Sequence, residues 1–281
     1  MRKYTASVCA AATIILCLSA RLSFPLETVP DAIAAKRIVI LSPAAADILL
    51  RLDAGSRVVG VTGSVQEFPA AVKVGTHLNP GIEKIASLKP DLIIASSRFD
   101  PELAGRMGAN LFLYEPKTLD DIITAVRALS DAVGKKEAGT RLAAGLQAVL
   151  DGLKQPPHTP AVLYETRSTP VAVAKKHTVI RDVLERAGMR YAFPESTGAV
   201  SLEYLMAHQP EYYIYQEGPM NRNPVPPSER PGWEHFGSCA WKVNEFDFAR
   251  PNTRLFETVK LLNDLLHTDA PCDRGKAVYG E

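Results

Sequence analysis

Ile82-Glu83-Lys84-Ile85-Ala86-Ser87-Leu88-Lys89-Pro90-Asp91-Leu92-Ile93-Ile94 returns in the second half of the chain as Leu202-Glu203-Tyr204-Leu205-Met206-Ala207-His208-Gln209-Pro210-Glu211-Tyr212-Tyr213-Ile214. Each copy reads as a short helix, a proline stop and a strand. Proline disfavours the helical region for the residue before it, and the apolar run behind it suits a buried parallel strand. A second echo flanks the first, since Leu49 to Arg57 with Ala54-Gly55-Ser56-Arg57 resembles Val183 to Arg190 with Ala187-Gly188-Met189-Arg190. Two similar α/β lobes follow, and a cleft between lobes is a preferred place to bind a small molecule.

Working outward, Arg37-Ile38-Val39-Ile40-Leu41 reads as a buried strand, and Ser42-Pro43 opens a helix that runs to Gly55. Val58 to Val61 is the next strand. A longer loop then passes Phe68-Pro69 and reaches His77-Leu78-Asn79-Pro80, where the halves differ most. After Leu111-Phe112-Leu113-Tyr114, a helix begins near Leu119 with Thr118 as its cap, and Gly134 interrupts it. Apolar positions at Leu142, Leu146, Val149, Leu150 and Leu153 keep helical spacing, so a long helix joins the halves. Ala161-Val162-Leu163-Tyr164 opens the second lobe, and a helix from Thr253 to Leu266 closes it. The expected fold is α/β: two doubly wound lobes with central parallel sheets, residues 37–133 and 160–268, joined by a helix over 134–155 and followed by a tail over 269–281.

The 281 residues, 46% of them hydrophobic, suffice for two modest cores, and the formal net charge of +1 leaves no basic footprint for nucleic acid. Residues 1–20 read as a secretory signal peptide: Arg2-Lys3 start it, and the apolar stretch Ala6 to Ala20 is too short for an ordinary membrane span. The expected location is periplasmic, with membrane anchoring if the signal stays uncleaved. Leu16 stands where a lipoprotein signal before Cys17 would carry a small residue. Cys239 and Cys272 then remain for the mature protein and read as one disulfide in an oxidising compartment. A metal-binding pair is the competing reading, but the two lack the close spacing of thiolate sites.

The order of elements, the long joining helix, Ile40-Leu41-Ser42-Pro43, Leu88-Lys89-Pro90-Asp91-Leu92-Ile93-Ile94 and Phe246-Asp247-Phe248-Ala249-Arg250-Pro251 together resemble the helical-backbone (class III) periplasmic solute-binding proteins. That resemblance covers Arg37 to His267. It implies a substrate-binding component of an ATP-driven (ABC) importer, a monomer that captures a ferric siderophore, cobalamin or haem and delivers it to an inner-membrane permease and ATPase. The expected ligand is therefore a metal-containing chelate carried as cargo, with no catalytic cofactor. The resemblance also implies one exposed docking acid per lobe, Glu83 in the first and Glu234 in the second, with Glu229 as an alternative to Glu234.

Parallel sheets bind ligands at the carboxyl ends of their strands, so loop residues set the cargo. Ser42, His77 and Arg98 from the first lobe, and Glu165, Arg167, Met220, Asn221, Arg222, Trp233 and Arg250 from the second, are the candidates. Arginine forks suit an anionic chelate, His77 could meet a metal held in the cargo, and Trp233 suits either a flat macrocycle or plain core. A bare metal ion would need three or four converging ligands, and only His77 and Glu165 offer themselves. No Gly-rich phosphate loop, His-Glu-x-x-His or Gly-x-Ser-x-Gly pattern points to catalysis. An exported chelatase acting on a tetrapyrrole, a binding protein for an unchelated ion and a signalling co-receptor are the competing readings.

Overall fold

In the computed structural model, which describes residues 34–193 and 199–268, the apolar run led by Ile38 becomes the middle strand of the first sheet. The first lobe contains β1 (Ile38–Ile40), α1 (Ala45–Arg51), β2 (Val58–Val61), β3 (Val72–Lys73), α2 (Ile82–Ser87), β4 (Leu92–Ala95), α3 (Pro101–Arg106), β5 (Asn110–Leu113) and α4 (Leu119–Ala132). Its strands are all parallel, in the order β3-β2-β1-β4-β5. The order reverses between β1 and β4, so the loops leaving those strands diverge at the carboxyl edge and open a crevice there. The expected signal segment over 1–20 and the expected tail over 269–281, with Cys272, lie outside the described residues.

The second lobe contains β6 (Ala161–Ser168), β7 (Val171–Val173), α6 (Val179–Arg186), β8 (Arg190–Tyr191), α7 (Leu202–Ala207), β9 (Tyr212–Glu217), β10 (Cys239–Asn244), α8 (Glu245–Phe248) and α9 (Leu255–Leu265). Here the centre of the sheet is parallel as expected, and one edge departs from it. β10, β9, β6 and β8 pair in parallel, but the outer half of β6 folds back into an antiparallel hairpin with β7. Strand β6 therefore continues past Tyr164 to Ser168 instead of breaking into a loop.

The repeated phrase does the same work twice. Pro90 and Pro210 are both buried, and the acid after each pins the start of its lobe's first strand. Asp91 accepts from the amides of Lys36 (2.8 Å) and Arg37 (2.9 Å), and Glu211 accepts from the amide of Ala161 (3.1 Å). These amides stand at or just ahead of the strand starts, where a carboxylate in the neighbouring connection satisfies them.

Thr118 and Asp121 form a reciprocal capping box at the head of α4, and Gly134, at φ +61°, ends the helix by turning the chain left-handed. α5 (Lys136–Asp151) follows, about 24 Å long at 1.5 Å per residue, and packs on both α4 and α9. Its apolar face helps join the lobes. Ile38 and Leu49 from the first lobe, Leu146 and Leu150 from α5, and Leu163, Tyr213 and Val259 from the second all belong to one buried cluster. The expected two cores are thus one continuous core, with a smaller cluster around Val39, Leu41, Val74, Ile85 and Ile93 on the opposite face of the first sheet.

The approach of α5 to α4 depends on Gly139, because a Cβ there would lie 2.0 Å from Ser130 Oγ and 2.1 Å from Ser130 Cβ. A rotamer change cannot relieve the second contact, so the helices must separate. Gly139→Ala is expected to lose about 1–2 kcal/mol net, because overpacking outweighs the roughly 1 kcal/mol by which alanine favours a helix. A fall in melting temperature of several degrees checks this; an unchanged or raised value would show that the helices reseat freely.

Candidate functional site

The carboxyl edges of the two sheets face each other, and a cavity of about 400 Å³ opens between them. Ser64, Gln66 and Glu67, from the loop after β2, form its first-lobe wall. Pro219 after β9, and Asn244, Phe246, Asp247, Arg250, Asn252 and Arg254 around α8, form the opposite wall. The lining combines an aromatic ring, neutral hydrogen-bonding side chains, two guanidinium groups and two carboxylates, of which Asp247 is taken up by Arg254. That set suits an organic ligand carrying anionic oxygens.

Arg250 stands apart from the other charged groups of the lining. Its guanidinium lies over the Phe246 ring, 3.9 Å from the centroid, and among the described residues it has no side-chain hydrogen bond or ion pair. Burial lowers its affinity for a proton relative to an ordinary arginine, although Glu245 and Glu67 oppose this. Arg254 differs, because it pairs with Asp247 at 3.3 Å. Arg250 is thus the partly desolvated cation whose donors remain open to a ligand.

A second cavity of about 480 Å³ lies between the lobes where the first turns of α4 and α6 meet, lined by Lys117, Thr118 and Asp121 and by residues from Lys176 to Glu185. Its acids are already engaged. Asp121 accepts from the amides of Lys117 and Thr118, and Asp182 accepts from the Leu119 amide across the seam at 2.7 Å. Burial still holds Asp182 above the ordinary carboxylate range. The seam is tied further by the Tyr114 hydroxyl, which donates to the Pro251 carbonyl at 2.5 Å, and by Asp47, which accepts from Thr253.

The residues singled out from the sequence separate into three groups. Arg250 lines the interlobe cavity, while His77 and Arg98 share a small pocket of about 150 Å³ beside Ser96 and Phe99 in the first lobe. Arg167, Met220 and Arg222 are exposed on the second lobe, and Ser42 is buried, donating to the Tyr114 carbonyl at 3.3 Å. Glu165, Asn221 and Trp233 need correction: all three lie inside the second lobe. The extension of β6 carries Glu165 into the interior, where Arg230, Tyr213 and Asn221 take up its oxygens. Trp233 packs against Tyr213 and Phe236, which is its core reading.

Gln66, Glu67, Asn244, Phe246, Asn252 and Arg254 were not among the expected site residues. The phrase Phe246 to Pro251 contained part of the signal. Among the described residues no cluster of three or more His, Cys, Asp or Glu could hold a metal ion, and no helix is long and apolar enough to cross a membrane. Glu83 and Glu234 are exposed on separate lobes. Glu234 accepts from the Gly232 amide at 3.0 Å, and backbone hydrogen bonds hold its carboxyl below the ordinary range. Cys239 is buried at the head of β10, and its expected partner Cys272 lies outside the described residues.

The profile of the family described as "Periplasmic binding protein" matches residues 38–228. A vitamin B12-binding protein of Vibrio campbellii (strain ATCC BAA-1116) is 23% identical over 240 residues, covering 80% of this chain and 87% of the relative. The uncharacterized ABC transporter substrate-binding lipoprotein YvrC of Bacillus subtilis (strain 168) is 23% identical over 257 residues, covering 83% and 81%. The solved structure of the periplasmic haem-binding protein HutB of Vibrio cholerae superposes with a TM-score of 0.70 at 17% identity, covering 83% of this chain and 99% of that one.

Proposed function

The chain belongs to the periplasmic binding protein family, and from that premise we propose that it captures a metal chelate between its lobes and delivers it to the permease and ATPase of an ABC importer. A ferric siderophore, a cobalamin and haem are the cargo classes considered; relatives are named for binding vitamin B12 and haem. The chelate is cargo rather than a catalytic cofactor. Export through the N-terminal signal, periplasmic residence and the Cys239–Cys272 disulfide complete this reading.

The observation that carries it is the half-buried Arg250, its donors unpaired, in a cavity to which both lobes contribute. A cation kept partly dry and stacked on an aromatic ring costs free energy in the empty protein, and an anionic group of the ligand relieves that cost. Haemin, cyanocobalamin and a ferric tris-catecholate, each titrated into the purified chain and followed by absorbance and calorimetry, provide the test. One of the three is expected to saturate at a fixed stoichiometry, without turnover. Arg250→Met is expected to weaken that binding about tenfold to a hundredfold, the worth of a charge-assisted hydrogen bond. Failure of all three probes to bind, or unchanged affinity in Arg250→Met, would refute the proposal.

Docking on the permease is assigned to Glu83 and Glu234, one exposed acid on each lobe. Charge steers such encounters, and opposing like charges across an interface is costly. Reversing both, Glu83→Lys with Glu234→Lys, is expected to reduce uptake by at least about tenfold while ligand affinity in solution stays at the wild-type value. Unchanged uptake would remove these two acids from the docking surface.

A further inference from the structure

Between β9 and β10 the chain leaves the sheet at Gly218 and returns only after Trp233, an excursion whose Pro219 lines the cleft and whose Met220 is 65% exposed. Prolines at 219, 224, 226, 227 and 231 stiffen this segment but do not tell it where to lie. Its position comes from a buried carboxylate. Glu165 is fully buried on β6, and its Oε2 accepts from the Tyr213 hydroxyl and from Arg230 Nη1 at 2.5 Å. Its Oε1 accepts from Arg230 Nη2 at 3.0 Å and, more weakly, from Asn221 Nδ2 at 3.4 Å.

Both anchoring residues belong to the excursion and grip it elsewhere as well. Asn221 Oδ1 accepts from the Ser168 amide (3.1 Å) and hydroxyl (2.9 Å), while its Nδ2 also donates to the Gln216 carbonyl at 2.9 Å. Arg230 donates through Nε to the Val225 carbonyl at 2.8 Å and stacks over Trp233, 4.9 Å from the ring centroid. One carboxylate therefore holds the segment near its start and near its end. A third tie, from the Met220 amide to Glu245 Oε2 at 2.8 Å, fixes the stretch closest to the cavity.

We propose that Glu165 and Arg230 are positioning residues for ligand capture: neither faces the cleft, and together they pre-set the Gly218–Trp233 segment that borders it. This rests on the reading of the cleft as the ligand site. A loop ordered in advance loses less conformational freedom when ligand arrives, so the pair acts on affinity without contacting cargo. A buried pair kept only for stability would be replaceable by apolar side chains of similar size. That difference separates the two roles.

The experiment compares the full chain with the apolar triple variant Glu165→Met/Tyr213→Phe/Arg230→Met and with Arg230→Lys. Arg230→Lys keeps the charge and loses both the fork and the grip on Val225. Amide hydrogen exchange without ligand is the first measurement, read at Asn221, Glu229 and Trp233, whose amides donate to Gly218, Pro226 and Arg230. The expected result is exchange at least about tenfold faster at these amides in both variants, with β6 and β9 still protected. The second measurement is affinity for whichever of haemin, cyanocobalamin and a ferric tris-catecholate binds the wild type, expected to fall severalfold in both. Unchanged exchange in Arg230→Lys overturns the proposal even if the triple variant does not fold. So does faster exchange with wild-type affinity, which would leave the pair a purely structural role. If no probe binds the wild type, the proposed function fails on that result, whereas the exchange measurement still decides whether the pair sets the segment.

Discussion

Glu165→Ala is expected to destabilise the protein by about 3–5 kcal/mol, the largest single effect among the substitutions considered. The magnitude comes from what is left behind rather than from the pair's attraction. Arg230, whose side chain is only 9% exposed, would keep its charge without a counter-charge, and the buried Tyr213 hydroxyl would lose its acceptor. Taking two charges out of water costs nearly what their attraction returns, so the intact pair adds little net stability, but half a pair is costly. Glu165→Gln should fall between wild type and Glu165→Ala, since one amide oxygen still accepts while the amide nitrogen meets donors of Arg230. Urea denaturation followed by circular dichroism measures both variants. A loss below about 1 kcal/mol for Glu165→Ala would mean that water reaches Arg230 and that the carboxylate is not the anchor described.

The same residue shows where reading the sequence stops. The apolar run Ala161 to Tyr164 ends at Glu165-Thr166-Arg167, and local composition reads those polar residues as a loop at the carboxyl edge. The strand continues because β7 offers an antiparallel partner, and because Arg230, far along the chain, neutralises the carboxylate that the strand carries inward. The second cause is non-local, and the first, a hairpin partner that begins at Val171, is not announced by the polar composition of Glu165 to Arg167. Asn221 and Trp233 follow the same logic: one looks like a loop donor and the other like a ligand platform until the chain that covers them is in place. Features with local causes were legible. The Thr118 cap depends on Asp121 three residues on, and the left-handed turn at Gly134 depends on a residue without a side chain.

The repeated phrase sits between these extremes. Its helix, proline and strand follow from local preference, and both copies form as read. Asp91 and Glu211 also keep one task across the repeat. The cleft does not inherit that symmetry. The stretch from Gly55 to Pro90 is longer than that from Gly188 to Pro210, and the extra chain brings Glu67 and His77 to the carboxyl edge of the first lobe alone. Arg250, which lines the cavity, stands inside a recognisable phrase. Glu67 and Asn244 have no such phrase around them, because a polar loop residue is marked as cavity lining only by what the opposite lobe places across from it.

Asp47→Ala is expected to cost about 2–4 kcal/mol and to lower the melting temperature by roughly 5–10 °C, because this carboxylate holds the lobes together where the closing helix begins. Asp47 is 7% exposed in the first turn of α1, and its Oδ2 accepts from both the amide (3.0 Å) and the hydroxyl of Thr253, just ahead of α9. Thr253 is itself buried, so alanine at position 47 would leave two donors facing apolar surroundings. Arg51, at 3.4 Å from Oδ1, cannot replace the lost acceptor, since it also only donates. Tyr114 grips the same stretch through the Pro251 carbonyl, and removing its hydroxyl in Tyr114→Phe should cost about 1 kcal/mol. Both side chains reach from the first lobe to residues 251–253, so the double variant should lose less than the sum of the single losses. Thermal unfolding of the two single variants and the double variant gives the coupling directly. Strict additivity would mean that residues 251–253 are held by something else, and that Asp47 and Tyr114 do not act together on the seam between the lobes.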